Sequence, residues 1–579
     1  MALIFILVSP LACTPKAPHG GVHVHSLLNA NIPHLDPIHS TNKYSSTVNS
    51  AIFEGLYHYH YLKRPLQLEP NLAAALPDVS KDQKTYRIKI KKKVFFQDDP
   101  AFANGQGREL EASDFIYSWK RLADPQNKAL GWWVFDGLIV GLNQWRADLR
   151  TGKADYSSPV PGLKALDKHT LEITLSRPNH LFLHRLAMPI TMVVAKEVVH
   201  KYGPEIANHP VGTGPFSLKQ WVRNSKVELV KNPTYRKVLF PSDGSDASRP
   251  LLTDNRKKLP LADFVTIHIF RESQPIWLSF LNGTLDHGEV PKENSEQLLN
   301  REQEIREEYA EKGIRILTQI RPDVTFISFN MEHPVLGKHK KLRQALAHAL
   351  DKKTILEKFY NNRGIVAQGP IPPHIDGYDL NYTNPYNFDK NRARELLREA
   401  GFPNGKGLPV FEYHMPNIST WSRQFADFVK AQWADIGVEL RLVSNTWPQF
   451  DKNLKSKRVA IFDMAWMADY PDGDNFLQLY YSQNVSPGPN SANFINRDYD
   501  SLYQKTLLLP PGPERSKAFS KMVEFINDAV PSIFLVHRVF KLPYHGWLEN
   551  YNESPLIYDY HKYLTIDPSK KNELLKKLN

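Results

Sequence analysis

Within the 579 residues of the chain, the stretch best placed to do chemistry is Asp463-Met464-Ala465-Trp466-Met467-Ala468-Asp469-Tyr470-Pro471-Asp472-Gly473-Asp474. The apolar, β-prone Val459-Ala460-Ile461-Phe462 leads into it. Tyr-Pro-Asp-Gly ends it, because proline holds φ near −65° and glycine accepts positive φ. A strand therefore stops at Asp469. A carboxylate at a strand end beside an indole is a natural counter-charge for a ligand cation. The same residue types also suit a turn cap, the commoner role of an Asp before such a turn. Asp472 and Asp474 are spaced as two acids able to trade a proton, although acids in a turn are usually solvated.

Other candidate chemistry is thinner. His23 and His25 alternate on one strand face with His19 close by, and imidazole suits zinc. No acid or cysteine stands near them in sequence, so neither a metal nor a cofactor is expected. Pro210-Val211-Gly212-Thr213-Gly214-Pro215 is glycine-rich but lacks the Lys-Ser/Thr and the helix start of a phosphate loop. GxSxG, HExxH and Walker A patterns are missing, and the only cysteine, Cys13, has no helical context for a nucleophile. The chain is therefore not expected to be an enzyme.

Composition narrows the class further. The length allows two or three domains, and 43 prolines, 25 tyrosines and 11 tryptophans suit a loop-rich, groove-bearing protein. The net charge of +12 comes from 73 basic against 61 acidic residues. These are scattered apart from short runs such as Lys89-Ile90-Lys91-Lys92-Lys93, which argues against a nucleic-acid interface. Residues 2–11 are almost wholly apolar, about the length of a signal-peptide core and too short to span a bilayer. Cys13 follows, and Pro10-Leu11-Ala12-Cys13 resembles a bacterial lipobox. It departs from that pattern in having Pro10 where leucine is usual and no basic residue before the apolar run. A lipid-anchored exported protein is expected, with Cys13 acylated.

The elements that would position Asp469 are legible in outline. Thr85-Tyr86-Arg87-Ile88-Lys89-Ile90 alternates as a strand, and residues 111–122 place Phe115, Trp119 and Leu122 on one helical face. Val48, Ile52 and Leu56 predict a helix capped by the hydroxyl residues Ser46 and Thr47 and ended at Gly55. Leu342, Leu346 and Ala349 mark a second helix, residues 394–401 a third and 421–436 a fourth. The strand 438–443 follows, so helix and strand alternate as in an α/β layer.

The Asp463–Asp474 segment resembles the W-x-A-D-Y motif of the family 5 extracellular solute-binding proteins, the oligopeptide- and dipeptide-binding subunits of ABC importers. Further motifs follow in the family's order. Leu72-Ala73 through Ser118-Trp119-Lys120-Arg121-Leu122 and Asp124-Pro125 is similar to its S-W-x-R-L-x-D-P signature, Pro210–Phe216 to its P-V-G-T-G-P-Y turn, and Leu342–Lys352 to its V-R-x-A-L helix. The similarity runs from about residue 22 to 570.

The resemblance implies an α/β fold of the periplasmic-binding-protein-like class II (cluster C) type, with two lobes around a ligand cleft plus an extra inserted domain. Its divisions would be a signal peptide and tether over 1–19, a discontinuous first lobe over 20–67, 188–322 and 520–579, an inserted domain over 68–187, and another lobe over 323–519. It further implies that Asp469 takes a peptide's α-ammonium group, that Trp466 and Trp447 wall its side chains, and that Ala465 and Met467 complete the contact. Ser40, Thr41 and Asn42 would lie along the ligand. The expected partners are a small peptide, membrane-embedded permease subunits and, through the lipid, the membrane itself, for a monomer at the cell surface or in the periplasm. Asp463 stands where some oligopeptide-binding relatives carry a basic residue that meets a short peptide's carboxylate, which leaves that contact open. A nickel complex, haem or sugar ligand, or a sensor role on the same fold, remains an alternative.

Overall fold

The computed structural model describes residues 21–28, 32–40 and 42–578. Cys13, His19 and Thr41 lie outside the described residues. Four strands form the first lobe's sheet, in the order His23–Leu28, Phe264–Ile269, Lys226–Lys231, Phe216–Val222. Val24, Val227, Leu229, Val265 and Ile267 are buried on its alternate positions, the period-two pattern of a sheet with one covered face.

The helix beside that sheet, Lys43–Ile52, begins earlier and stops sooner than its spacing predicts. Asn42 caps it, accepting the Ser45 N–H at 3.0 Å, so Ser46 and Thr47 lie inside the helix and not ahead of it. Phe53 is already extended, which leaves Gly55 and Leu56 beyond its end.

A separate four-stranded antiparallel sheet runs Asp78–Val79, Thr85–Lys89, Thr170–Thr174, Leu163–Asp167. The helix Ala112–Ala123 buries Phe115, Trp119 and Leu122 in the same module and is opened by a Glu111/Asp114 capping box. Arg121 on this helix reaches Asp36 of the Leu35-Asp36-Pro37 turn at 2.7 Å, both side chains being buried.

A seven-stranded sheet has the order Ile314–Ile320, Ser532–His545, Asp323–Phe329, Ile461–Met467, Phe411–Met415, Leu440–Ser444, with Gly364–Val366 against the long strand. Every residue of Asp323–Phe329 is buried, and its polar members are partnered, Asp323 with Arg538, Thr325 with the Val536 carbonyl and Ser328 with Ser532. Helices Lys340–His348, Lys352–Tyr360, Lys390–Glu399 and Thr420–Ala434 accompany the sheet.

Ser532–His545 serves both lobes. Its first half pairs with Asp323–Phe329 and Gly364–Val366, and from Val539 onward it pairs with Ile314–Ile320. The pairing thus passes from one set of partners to the other within this strand, near Arg538, because one extended segment can satisfy backbone groups of two neighbours in turn. The largest buried cluster likewise contains Val24 and Val265 of the first lobe and Phe326, Phe462 and Phe534 of the second. Among the described residues no helix is long and apolar enough to cross a membrane.

The Asp36–Arg121 pair yields a stability test. Asp36→Ala strands a buried guanidinium, a loss of about 3–5 kcal/mol. Urea unfolding should show the midpoint falling far more for Asp36→Ala than for an alanine at the exposed Asp82.

Candidate functional site

Asp469 sits just past the strand Ile461–Met467, half-buried. Asn475, which is wholly buried, holds it in place. The Asn475 Oδ1 accepts the Trp466 indole N–H at 2.9 Å and the Asp469 backbone N–H at 3.1 Å, while its Nδ2 donates to Asp469 Oδ2 at 3.1 Å. Among the described residues Asp469 forms no ion pair. Burial pushes its pKa up, and the Asn475 amide and the more distant Arg185 pull it back. A carboxylate in that state gains most from a cation arriving from outside.

The strand beside Asp469 has an open edge. Residues 461–467 pair along their whole length with Asp323–Phe329, but on the other side only Ile461 and Phe462 meet Phe411–Met415. Backbone groups of 463–467 on that side have no strand partner among the described residues, the condition under which an extended chain can add as a strand. Ile461–Met467, Phe411–Met415 and Leu440–Ser444 are parallel neighbours. Their carboxyl ends therefore open on one edge, where ligands of open α/β sheets are commonly held. Ile418 and Trp447 stand there with 73% and 56% of their surfaces exposed, and Met467 with 36%.

Three parts of the molecule meet at this edge. His184, in the short helix Phe182–Leu186, stacks on Tyr470 at 6.4 Å between ring centres and bonds the Tyr59 hydroxyl. Tyr558, near the C-terminus, has its hydroxyl pKa raised by burial and by Asp469 and pulled back by Arg321. Asn475, Arg185, Ile418 and Tyr558 were not singled out in the sequence. Asn475 follows Asp469 by only six positions, and its value as a clamp depends on a turn whose path local spacing does not specify.

The other candidate residues have varied environments. Ala465 and Met467 point to one face of the sheet, and Trp466 to the other, where it packs against the largest core cluster. Ser40 is buried with its hydroxyl accepting from Asn49, and Asn42 spends its side chain on the helix cap. Each leaves at most backbone groups for a ligand.

Asp472 and Asp474 are not solvated turn acids: both are buried. Asp472 receives two bonds from Arg515, at 2.7 and 2.9 Å, and Asp474 accepts the Tyr470 hydroxyl at 2.8 Å. The turn folds inward because Arg515, on the helix Pro513–Ala529, supplies the countercharge. His23 bonds Thr266 and His25 bonds His268. Among the described residues no group of three or more acids, histidines or cysteines could hold a metal ion. Trp133 is exposed beneath the Arg185 guanidinium, and Trp132 lies under Arg146.

Comparison with known proteins settles the family. The model of the bacterial extracellular solute-binding proteins, family 5, matches residues 67–488. The chain belongs to that family. It is 26% identical over 518 residues to heme-binding protein A of Haemophilus influenzae, covering 88% of this chain and 86% of that one. It is also 26% identical over 495 residues to the dipeptide-binding protein of Escherichia coli, covering 83% of each. The fold matches that of the ABC transporter-associated periplasmic binding protein DppA of Helicobacter pylori in complex with the peptide STSA. That match has a TM-score of 0.73 at 22% identity and covers 94% of this chain and 98% of the other. Family 5 proteins are solute-binding proteins with the two-lobed periplasmic-binding-protein architecture, homologous to the peptide-binding subunits of ABC transporters.

Asp463, on the strand that ends just before Asp469, generates a pH test. It is buried, its Oδ1 lacks a hydrogen-bond partner among the described residues, and burial raises its pKa from 3.8 to about 7 against the pull of the Tyr413 hydroxyl. The folded state therefore holds its proton more tightly than the unfolded state. Stability from the neutral carboxyl is full below about pH 4 and lost as the pH rises through about 7, amounting to at most roughly 4 kcal/mol. Asp463→Asn should flatten this part of the pH dependence, raising the urea midpoint more at pH 8 than at pH 5.

Proposed function

We propose that the chain is the ligand-capturing subunit of an ABC importer for peptides. The observation that carries this reading is Asp469: a half-buried carboxylate, held by Asn475, with no ion-pair partner among the described residues, at the end of a strand whose outer edge is open. A peptide would lie along residues 463–467 as an added strand, with its N-terminal ammonium at Asp469. Main-chain bonding gives affinity with little dependence on side chains. Met467, Ala465 and Trp447 would border its side chains, and Trp466 would fix the site from behind through Asn475. The backbone at Ser40 and Asn42 would face it from the first lobe. The two lobes, joined by the shared strand and by residues 320–323, would close over the ligand by a hinge.

The dipeptide-binding relative and the STSA-bound neighbour support a peptide ligand. We further propose that Cys13 carries the lipid that tethers the protein outside the cytoplasmic membrane, beside its permease. Exported Cys13→Ser should then lack the acyl mass and leave the membrane fraction.

The decisive measurement is calorimetry with a peptide library beside a hydrolysis assay, after mass spectrometry of whatever ligand co-purifies with the native protein. Asp469→Ala removes the charge that the ammonium would meet, and binding should weaken roughly 10²- to 10³-fold. Unchanged affinity in that variant would exclude the proposed contact, and turnover of peptide would exclude a purely binding role.

A further inference from the structure

The run Lys91-Lys92-Lys93 has no part in the site described above. It forms the bend after the strand Thr85–Lys89, and its backbone is pinned from several directions. The Lys89 carbonyl accepts the Ala74 N–H at 2.7 Å, the Ile90 N–H donates to the His169 carbonyl at 2.8 Å, and the Lys91 N–H donates to the Leu72 carbonyl at 2.9 Å. Ile90 and Val94, on either side of the run, are buried. The lysines are therefore carried on a fixed frame, with Lys89, Lys92 and Lys93 exposed.

The bend borders an open groove of about 870 Å³. Asp167, His169 and Thr170 of the same module complete it, together with Arg236 and Lys237, which follow the first-lobe strand Lys226–Lys231. Its charge is one-sided. Five lysines and Arg236 line it against the single acid Asp167, whose carboxylate accepts the His169 N–H at 2.7 Å. Lys89, Lys92, Lys93 and Lys237 form no ion pair among the described residues, whereas His169 meets Glu109 at 3.3 Å and Arg236 meets the buried Glu54. The Lys91 ammonium donates to the Asn71 carbonyl at 2.6 Å, and burial and the neighbouring Arg236 lower its pKa. Cations gathered without acids create a positive potential that draws anions in.

The rim of the groove decides which anion. Leu76, Phe95, Leu166 and Leu239 stand one or two residues along the chain from the groove residues Ala74, Lys93, Asp167 and Lys237, and keep between 41% and 57% of their surfaces exposed. A soluble phosphate gains nothing from such side chains. A lipid surface does, because apolar groups enter the headgroup boundary while lysines meet its phosphates.

We propose that this groove is a membrane-docking surface for anionic phospholipid headgroups, with Lys92, Lys93 and Lys237 as the main phosphate contacts and Phe95 and Leu239 as apolar anchors. It sets the inserted module against the bilayer. It depends neither on a lipid at Cys13 nor on the ligand held between the lobes.

Co-sedimentation of the full chain carrying Cys13→Ser, which removes any acyl anchor, tests the proposal with vesicles of phosphatidylcholine alone or mixed with phosphatidylglycerol. The mixed vesicles should bind at least about tenfold more tightly, and added salt should shrink the difference. Lys92→Gln/Lys93→Gln/Lys237→Gln should weaken that binding roughly 10²-fold, near fivefold per lysine. The same charge change at Lys430, Lys517 and Lys521, exposed lysines that do not line the groove, should have little effect. Phe95→Ser/Leu239→Ser should weaken vesicle binding and leave calorimetric binding of inorganic tripolyphosphate as it was. Peptide affinity should be the same in every variant, which also shows that each is folded. Equal binding to both vesicles, equal loss in the two lysine triples, or vesicle binding indifferent to Phe95→Ser/Leu239→Ser overturns the inference while the proposed function stands. A single-stranded oligonucleotide held more tightly than the mixed vesicles assigns the groove to nucleic acid and overturns it as well.

Discussion

The arrangement at the interlobe edge depends on one buried amide. Asn475 accepts from an indole and from a backbone N–H and donates to a carboxylate, using both ends of its side chain at once. Without it Asp469 could turn back on its own peptide N–H groups, as acids at strand ends commonly do. With it, one carboxylate oxygen is tied and the charge is presented at a fixed point past the end of a strand. The cost of holding an unpaired, half-buried carboxylate is tolerable because the structure around it is over-determined: Trp466 is packed into the core, and Ala468 N–H bonds the Pro322 carbonyl at 2.8 Å.

Three aspartates within six residues have three different fates, and environment alone separates them. Asp472 is neutralised by Arg515, which also reaches Asp376 at 3.2 Å, and so pins the turn to the helix Pro513–Ala529. Asp474 faces the Tyr470 hydroxyl, and burial and Asp472 together push its pKa up. Neither Asp469 nor Asp474 forms an ion pair among the described residues, and of the two only Asp469 stands at the open strand edge. On the far side of the same sheet Arg363 forms no ion pair among the described residues, whereas Arg321 lies in the field of Glu553, Asp323 and Glu289. The Asp323–Arg538 pair lies on the sheet between Asp469 and the shared strand.

Connectivity sets how these charges can move. The lobes are linked by residues 320–323 and by a single 14-residue strand that changes partners near Arg538. Rotation about such a link leaves each half-sheet intact and changes only the gap between them, which is the geometry of hinge closure. Several charged residues discussed above, Arg321, Asp323 and Arg538, lie at this link.

The α/β class, the covered face of the Ala112–Ala123 helix and the end of a strand before Tyr-Pro-Asp-Gly were all legible in the amino-acid sequence, since periodicity and turn chemistry act over a few neighbouring residues. The family was legible too, from ordered motifs spread over most of the chain. The start of the first-lobe helix was misjudged because asparagine and serine cap equally well and only geometry chooses between them. Asp472 and Asp474 were misjudged because the arginine that draws the turn inward lies some forty residues onward. The sequence by itself determined which residue types and which local elements stand around Asp469. Only the tertiary structure decided which acids stay unpaired and which strand edge stays open, because charge compensation and strand pairing are settled between segments that are distant in the chain.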